Sequence, residues 1–218
     1  MSKHPVQVVL ASSSPRRQAF LRDLKLPFTV IPADIDETPL PGEAPAMLAL
    51  RLASHKAQLV AAKFDAGERA VIIAADTVVA LGDMLLGKPE DKADASRMLF
   101  LLRNCAHEVH SAVSVLDSAT GQTETVVNTT TVWMRRYSDM EVALYVRSGD
   151  PKDKAGAYAI QHPTFEPARV INGCLSGVMG LPLGDLRDLL AHVGITLSTD
   201  VVPVCEAQTH FRCCQRQR

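Results

Sequence analysis

The run Val71–Gly82, VIIAADTVVALG, constrains this chain most, because only Asp76 and Thr77 interrupt its apolar character. A membrane span needs about 18–20 apolar residues, so a shorter run cut by a carboxylate is not one. A segment of this kind belongs in a strand covered on both faces. Ala70–Ala75 reads as that buried strand, ended by Asp76-Thr77. Val78–Leu81 and Met84–Leu86 read as a hairpin around Gly82-Asp83.

The flanking segments alternate between the two periods. Val6–Leu10 and Phe28–Ile31 are short strands on either side of a helix from Pro15 to about Leu24, with Ser14 at its cap. Helical spacing returns over Ala46–Phe64, Lys92–Arg103, Ser138–Arg147 and Leu183–His192, with Glu141 at a capping-box position after Ser138. Glu108–Leu116 and Thr123–Met134 are two long strands, and Arg169–Asn172 and Leu175–Met179 two short ones. Alternating strands and helices around a long antiparallel pair predict an α/β domain with a mixed sheet. One domain over 1–195 is expected, followed by a tail over 196–218 to which the sequence assigns no role. Thr123–Met134 could pair across a homodimer or sit inside one sheet.

The charge balance narrows the function. Lys+Arg number 23 and Asp+Glu 24, a net charge of −1. Such a chain has no global pull toward nucleic acid or an anionic membrane, so any anion site must be built locally. The apolar stretch Val6–Ala11 is too short for the core of a signal peptide, and a cytoplasmic protein is expected. Five cysteines, Cys105, Cys174, Cys205, Cys213 and Cys214, show no metal-ligand or CxxC spacing, which predicts unpaired reduced thiols. His55, His107, His110 and His162 share no ligand spacing either and read as caps or surface residues. No GxSxG elbow surrounds Ser12–Ser14.

Three polar clusters fall where strands end. In Leu10-Ala11-Ser12-Ser13-Ser14-Pro15-Arg16-Arg17 a strand delivers hydroxyls and free amides to a helix start, followed by two guanidiniums. That is a phosphate cradle, or a capped surface helix with two solvated arginines. Asp76 is a candidate general base or metal ligand, or else a strand terminator; Lys88, between Gly87 and Pro89, can return to the same mouth across the hairpin. Asp34, Asp36 and Glu37 form an acidic loop that could hold Mg²⁺ or Mn²⁺ near phosphate, or simply be solvated. Lys56 lies on a helix and could be an ordinary surface lysine.

Taken together, LASSSPRR, RLASHKA, AADTVV, GKP, KAGAYAIQ and GLPL, in this order and spacing, resemble the Maf family of nucleoside triphosphate pyrophosphatases, the septum-formation inhibitor family. The resemblance covers about residues 5–193. It implies an elongated α/β fold with a central cleft, similar to inosine-triphosphate pyrophosphatases. It also implies hydrolysis of a nucleoside triphosphate to the monophosphate and diphosphate with a divalent cation. By position, Asp76 matches the family's proton-accepting aspartate, Ser12, Arg16, Lys56 and Lys88 its phosphate contacts, and Glu37, with Asp76, its metal side. Arg17, Thr77 and Gln161 match the branch that takes dTTP and UTP. The chain departs from that branch in AYAIQHPTFEPARVING, which places Pro163, Phe165 and Pro167 beside the implied base pocket. A pocket reshaped by His162–Pro167 for modified purines, and a nucleotide-binding cell-division regulator without turnover, are the rival readings.

Overall fold

A computed structural model describes residues 6–65 and 68–217. Its strands are β1 (Gln7–Leu10), β2 (Thr29–Val30), β3 (Ala70–Leu81), β4 (Met84–Leu86), β5 (Ala106–Asp117), β6 (Thr123–Met134) and β7 (Ala168–Asn172). Its helices are α1 (Pro15–Asp23), α2 (Pro45–Ala61), α3 (Lys92–Leu102), α4 (Asp139–Ser148), α5 (Leu175–Val178), α6 (Leu183–His192) and α7 (Val201–Thr209). The strands form one sheet in the order β2-β1-β3-β5-β6-β7, with β4 also on β3. β1 pairs in parallel with β2 and β3, and every later pairing is antiparallel. The mixed α/β sheet expected from the sequence is present. Thr123–Met134 lies between β5 and β7 within it.

β3 is where the structure departs most usefully from the sequence reading. Asp76-Thr77 does not end the strand, which runs unbroken from Ala70 to Leu81. The reason is β5, which pairs with β3 from Val71 to Ala80 and hydrogen-bonds straight through the polar pair, with Asp76 opposite Ala112. Side chains of a strand alternate between faces. Ile72, Ala74 and Val78 therefore pack under α2. Ile73, Ala75 and Val79 enter the larger core with α1, α3 and α6. By the same alternation Asp76 points to the α2 side and Thr77 to the α1 side.

Three further expectations are corrected. Leu175–Met179 is a turn of helix rather than a strand, closed by Cys174 at its start and by the tight bond from Gly180 N–H to the Gly177 carbonyl, 2.7 Å. The segment set aside as a tail carries α7, whose Val201, Val204 and Cys205 join the main core. Its apolar residues are few and closely spaced, too short a pattern to signal a helix without its partners. His107 and His110 are buried on β5 instead of lying at the surface. The capping box of α4 forms as expected, with Ser138 and Glu141 bonding reciprocally. No helix among the described residues is long and apolar enough to cross a membrane.

Candidate active site

The sheet opens where its strands differ in length. β1 stops at Leu10, opposite Ile73, while β3 runs on to Leu81. β4 rejoins β3 only at Val79. Between these points Ala74–Val78 keep β5 on one side and lie open toward the Ala11–Ser14 loop on the other. A cleft of about 370 Å³ occupies this opening, lined by Ser12–Arg17, Glu37, Lys56, Thr77, Lys88, Asp153–Ala155 and Tyr158–Gln161 among others. From β3, Thr77 and Val79 line the cleft, and Asp76 on the opposite face adjoins it through Lys56.

On the α2 side, Lys56 is no surface lysine: it is 8 % exposed, and Asp76 is 7 % exposed. Lys56 Nζ donates to Glu37 Oε1 at 2.5 Å and to Asp76 Oδ1 at 2.6 Å. Helical spacing explains the placement. Lys56 shares the inward face of α2 with Leu52, Ala53 and Val60, so it reaches the sheet where β3 presents its one carboxylate. A buried charge survives only with a partner. Of the acidic loop, Glu37 alone lines the cleft. Asp34 is exposed, and Asp36 turns back to accept from the Thr38 N–H at 2.9 Å.

On the α1 side, Ser14 occupies the cap position without making the cap bond. The Ser12 hydroxyl instead accepts from the Ser14 N–H at 3.2 Å and from Arg17 at 3.2 Å. Arg17 also donates to the Gly180 carbonyl at 2.9 Å and to Thr77 Oγ1 at 3.5 Å. Burial pulls the Arg17 guanidinium below its ordinary value, and Asp76 opposes this. Thr77 Oγ1 lies 3.0 Å from Ser111 Oγ, which donates to the Gly177 carbonyl at 2.5 Å. Gly180 has φ +109, and a Cβ there would meet Arg17 Nε at 3.4 Å. This is a conformation that favours glycine, and its carbonyl aims at the guanidinium. Arg16 reaches Asp153 at 3.6 Å, a largely exposed pair of little energetic worth.

The remaining wall comes from the Lys154–Gln161 segment. The Gly156 N–H bonds the Gly87 carbonyl at 3.0 Å, which ties this wall to the loop that carries Lys88. Lys88 is exposed and Gln161 half-buried, and both line the cleft. The His162–Pro167 segment does not line it. Phe165 turns away into the core, stacked on Tyr145 at 4.2 Å and tilted against Tyr137 at 4.9 Å. Its apolar side chain finds more contact between two tyrosines than at an open mouth. The seven residues singled out around phosphate and base, and Glu37, all line this one opening, while Asp76 lies just behind it in contact with Lys56.

Sequence reasoning missed Ser111, Gly177, Gly180, Asp153 and the pair His107–Tyr158. Ser111 is one of two serines on β5, and nothing local separates it from Ser114. Tyr158 lines the cleft and its hydroxyl lies 2.7 Å from His107 Nε2. His107 Nδ1 has no partner among the described residues, and burial pushes the imidazole down to about 4. An unfolded histidine takes up its proton near pH 6.5. The folded one resists until about 4, so its contribution is intact above pH 6.5 and is lost as the pH falls through that window. Thermal melts at pH 7 and pH 5 should show a smaller loss for His107→Gln than for the wild type. An equal loss would rule His107 out as the source.

The family profile described as Maf-like protein matches residues 7–193. The dTTP/UTP pyrophosphatase of Anaeromyxobacter dehalogenans strain 2CP-C is 45% identical over 193 residues, 88% of this chain and 96% of that protein. The dTTP/UTP pyrophosphatase of Myxococcus xanthus is 44% identical over 197 residues, 90% of this chain and 97% of that one. The dTTP/UTP pyrophosphatase of Pelotomaculum thermopropionicum is 40% identical over 188 residues, 86% and 97% of the two chains. A solved nucleoside-triphosphatase (dITP/XTP pyrophosphatase) from Mycobacterium abscessus aligns over 87% of this chain and 99% of its own, at 16% identity and a TM-score of 0.41.

Proposed function

The chain belongs to the Maf-like family, and from that premise we propose that it is a nucleoside triphosphate pyrophosphatase that hydrolyses dTTP and UTP to the monophosphate and diphosphate. The observation that carries the reading is the Asp76–Lys56–Glu37 bridge, 2.6 and 2.5 Å, buried at Asp76 and Lys56, whose Lys56 and Glu37 line one cleft with the Ser12–Arg17 loop. The names of relatives at 40–45% identity support the choice of nucleotide. Turnover of a nucleotide pool fits a cytoplasmic setting, which the five free thiols suit.

The chemistry follows from charge. A triphosphate brings about four negative charges that must be offset before a nucleophile can approach. Arg16, Lys56, Lys88 and the amides around Ser12–Ser14 supply that offset. Asp76 accepts the proton of the water that attacks the α-phosphorus, and diphosphate leaves. Lys56 holds the Asp76 carboxylate in place until substrate arrives. Across the sheet, Arg17 and Thr77 fix one wall of the base pocket. Gln161 offers both a donor and an acceptor, as a uracil or thymine edge requires.

The family resemblance implies Mg²⁺ or Mn²⁺. Glu37 and Asp76 already converge on one cation, the Lys56 ammonium. Two hard carboxylates completed by substrate phosphates suit these ions, so Glu37 and Asp76 would hold the metal. No group of three or more His, Cys, Asp or Glu is arranged for a metal among the described residues. Once bound, the ion would supply Lewis-acid neutralisation of phosphate charge.

Pyrophosphate release from dTTP, UTP, CTP and 7-methyl-GTP, with Mg²⁺ or Mn²⁺ present, tests the proposal. Preference for dTTP and UTP is expected, with monophosphate as the second product. Preference for the purine, orthophosphate as product, or binding without turnover would overturn it. The rival purine reading relied on His162–Pro167, which does not line the cleft. Lys88→Ala should raise KM and lower turnover for every nucleotide while leaving the ratio of dTTP to CTP unchanged. A changed ratio would move Lys88 to the base pocket.

A further inference from the structure

The wall that carries Gln161 is held from behind by one phenol. Tyr145 lies on the buried face of α4. Its hydroxyl accepts from the Ala159 N–H at 2.8 Å and donates to Asp150 Oδ2 at 2.6 Å. Asp150 in turn takes the Lys154 ammonium, on its carbonyl at 2.6 Å and on Oδ1 at 3.1 Å. Lys154 and Ala159 both line the cleft, and Gln161 stands two residues after Ala159. Lys154 at one end of the wall and Ala159 near the other are therefore joined through a single oxygen atom. Burial, then the bond to Asp150, raises the phenol above its ordinary value, so it stays a donor to the carboxylate.

The Tyr145 ring is gripped by the segment His162–Pro167, which the cleft itself does not use. Phe165 stacks on it at 4.2 Å and 11°, and His162 meets it edge-on at 4.8 Å. Aromatic pairs in these arrangements add to the burial of each ring. The segment is closed on itself, with the Phe165 N–H donating to His162 Nδ1 at 3.0 Å and the Glu166 N–H to the His162 carbonyl at 3.0 Å. Arg135, just past the end of β6, donates to the Glu166 carbonyl at 2.8 Å and fastens the turn to the sheet.

We propose that Tyr145, clamped by His162 and Phe165, is a positioning residue for base selection that acts through Ala159 on Gln161. The inference rests on the role proposed for Gln161 and deepens it. A side-chain amide offers one donor group and one acceptor. A uracil or thymine edge presents an acceptor and a donor, and cytosine presents the same two in the opposite order. An amide turned over therefore suits cytosine, and preference between the bases depends on holding Gln161 one way up. The backbone that carries it is held by the Tyr145 hydroxyl. Without that oxygen the buried Ala159 N–H loses its partner, a cost the wall can relieve only by shifting.

Tyr145→Phe in the full-length protein keeps the ring and removes only the hydroxyl. The ratio of kcat/KM for dTTP to that for CTP should fall about three- to tenfold, the scale of one hydrogen bond. The fall should come mainly through a higher KM for dTTP, with kcat near the wild-type value. Amide hydrogen exchange over residues 154–161 should quicken. Tyr137→Phe is the control, because Tyr137 also packs on Phe165 but its hydroxyl donates to the Leu99 carbonyl of α3. It should melt lower than the wild type and keep the ratio. Asp150→Ala, at a partly exposed position, frees Lys154 and should lower the ratio in the same direction, and it decides the matter if Tyr145→Phe does not fold. An unchanged ratio, an equal fall in Tyr137→Phe, or a uniform loss for every nucleotide overturns the proposal, since the last two are what a merely structural tyrosine gives. The wild-type panel shows separately whether dTTP is preferred at all. If it is not, the proposed activity fails, and exchange over residues 154–161 in Tyr145→Phe still decides the positioning role: faster exchange upholds it and unchanged exchange overturns it.

Discussion

Asp76→Asn lowers the turnover of dTTP and UTP by roughly 10²–10⁴-fold, the usual worth of a general base, and leaves the fold in place. The amide is the same size as the carboxylate and its oxygen can still accept from Lys56, whose second partner Glu37 remains. The β3–β5 ladder runs through the backbone of residue 76 and does not depend on its side chain. What is lost is the basic lone pair. Nucleotide binding, measured separately, should change far less than the rate. Near-normal turnover in a folded Asp76→Asn protein would remove this residue from proton transfer and require another base in the cleft.

Lys56→Met has the largest expected effect on stability. It removes the one cation that Asp76 contacts among the described residues, at a position 7 % exposed, and leaves that carboxylate facing Glu37. Breaking a buried pair by deleting one partner costs about 3–5 kcal/mol. Glu37 contributes little to this, because its side chain is 60% exposed. For a domain of this size each kcal/mol moves Tm by about 2–4 °C, so a fall of roughly 6–20 °C is expected. The double variant Lys56→Met/Asp76→Asn should recover a good part of it, since no unpaired buried charge remains. Thermal melts of the four proteins make a double-mutant cycle. If the single variant melts with the wild type, or the double variant recovers nothing, the pair is not the buried ion pair described.

Much of the fold could be read along the chain because its signals are local. The β1–α1 turn, the long strands β5 and β6, and the α4 capping box each follow from spacing within a dozen residues. The candidate site residues other than Glu37 stand in the short motifs that carry the resemblance, some at element ends, but Lys56 within α2 and Asp76-Thr77 within β3. Other features depend on distant partners. Asp76 looks like a strand terminator until β5 lies alongside it, and Lys56 looks like a surface lysine until α2 is laid on the sheet. α7 gives no sign of itself until α1, α5 and α6 provide the apolar surface it covers.

By itself, the sequence determined which segments are strands or helices for the most part, that an anion site must be local, and which family motifs the chain carries. Only the tertiary structure decided that Lys56 bridges two carboxylates, that Arg17 and Thr77 meet on one face of the sheet, and that Phe165 leaves the cleft. Secondary structure follows a period of two or 3.6 residues that any window reveals. Contacts between residues 20 to 160 positions apart depend on register and packing, which no window contains.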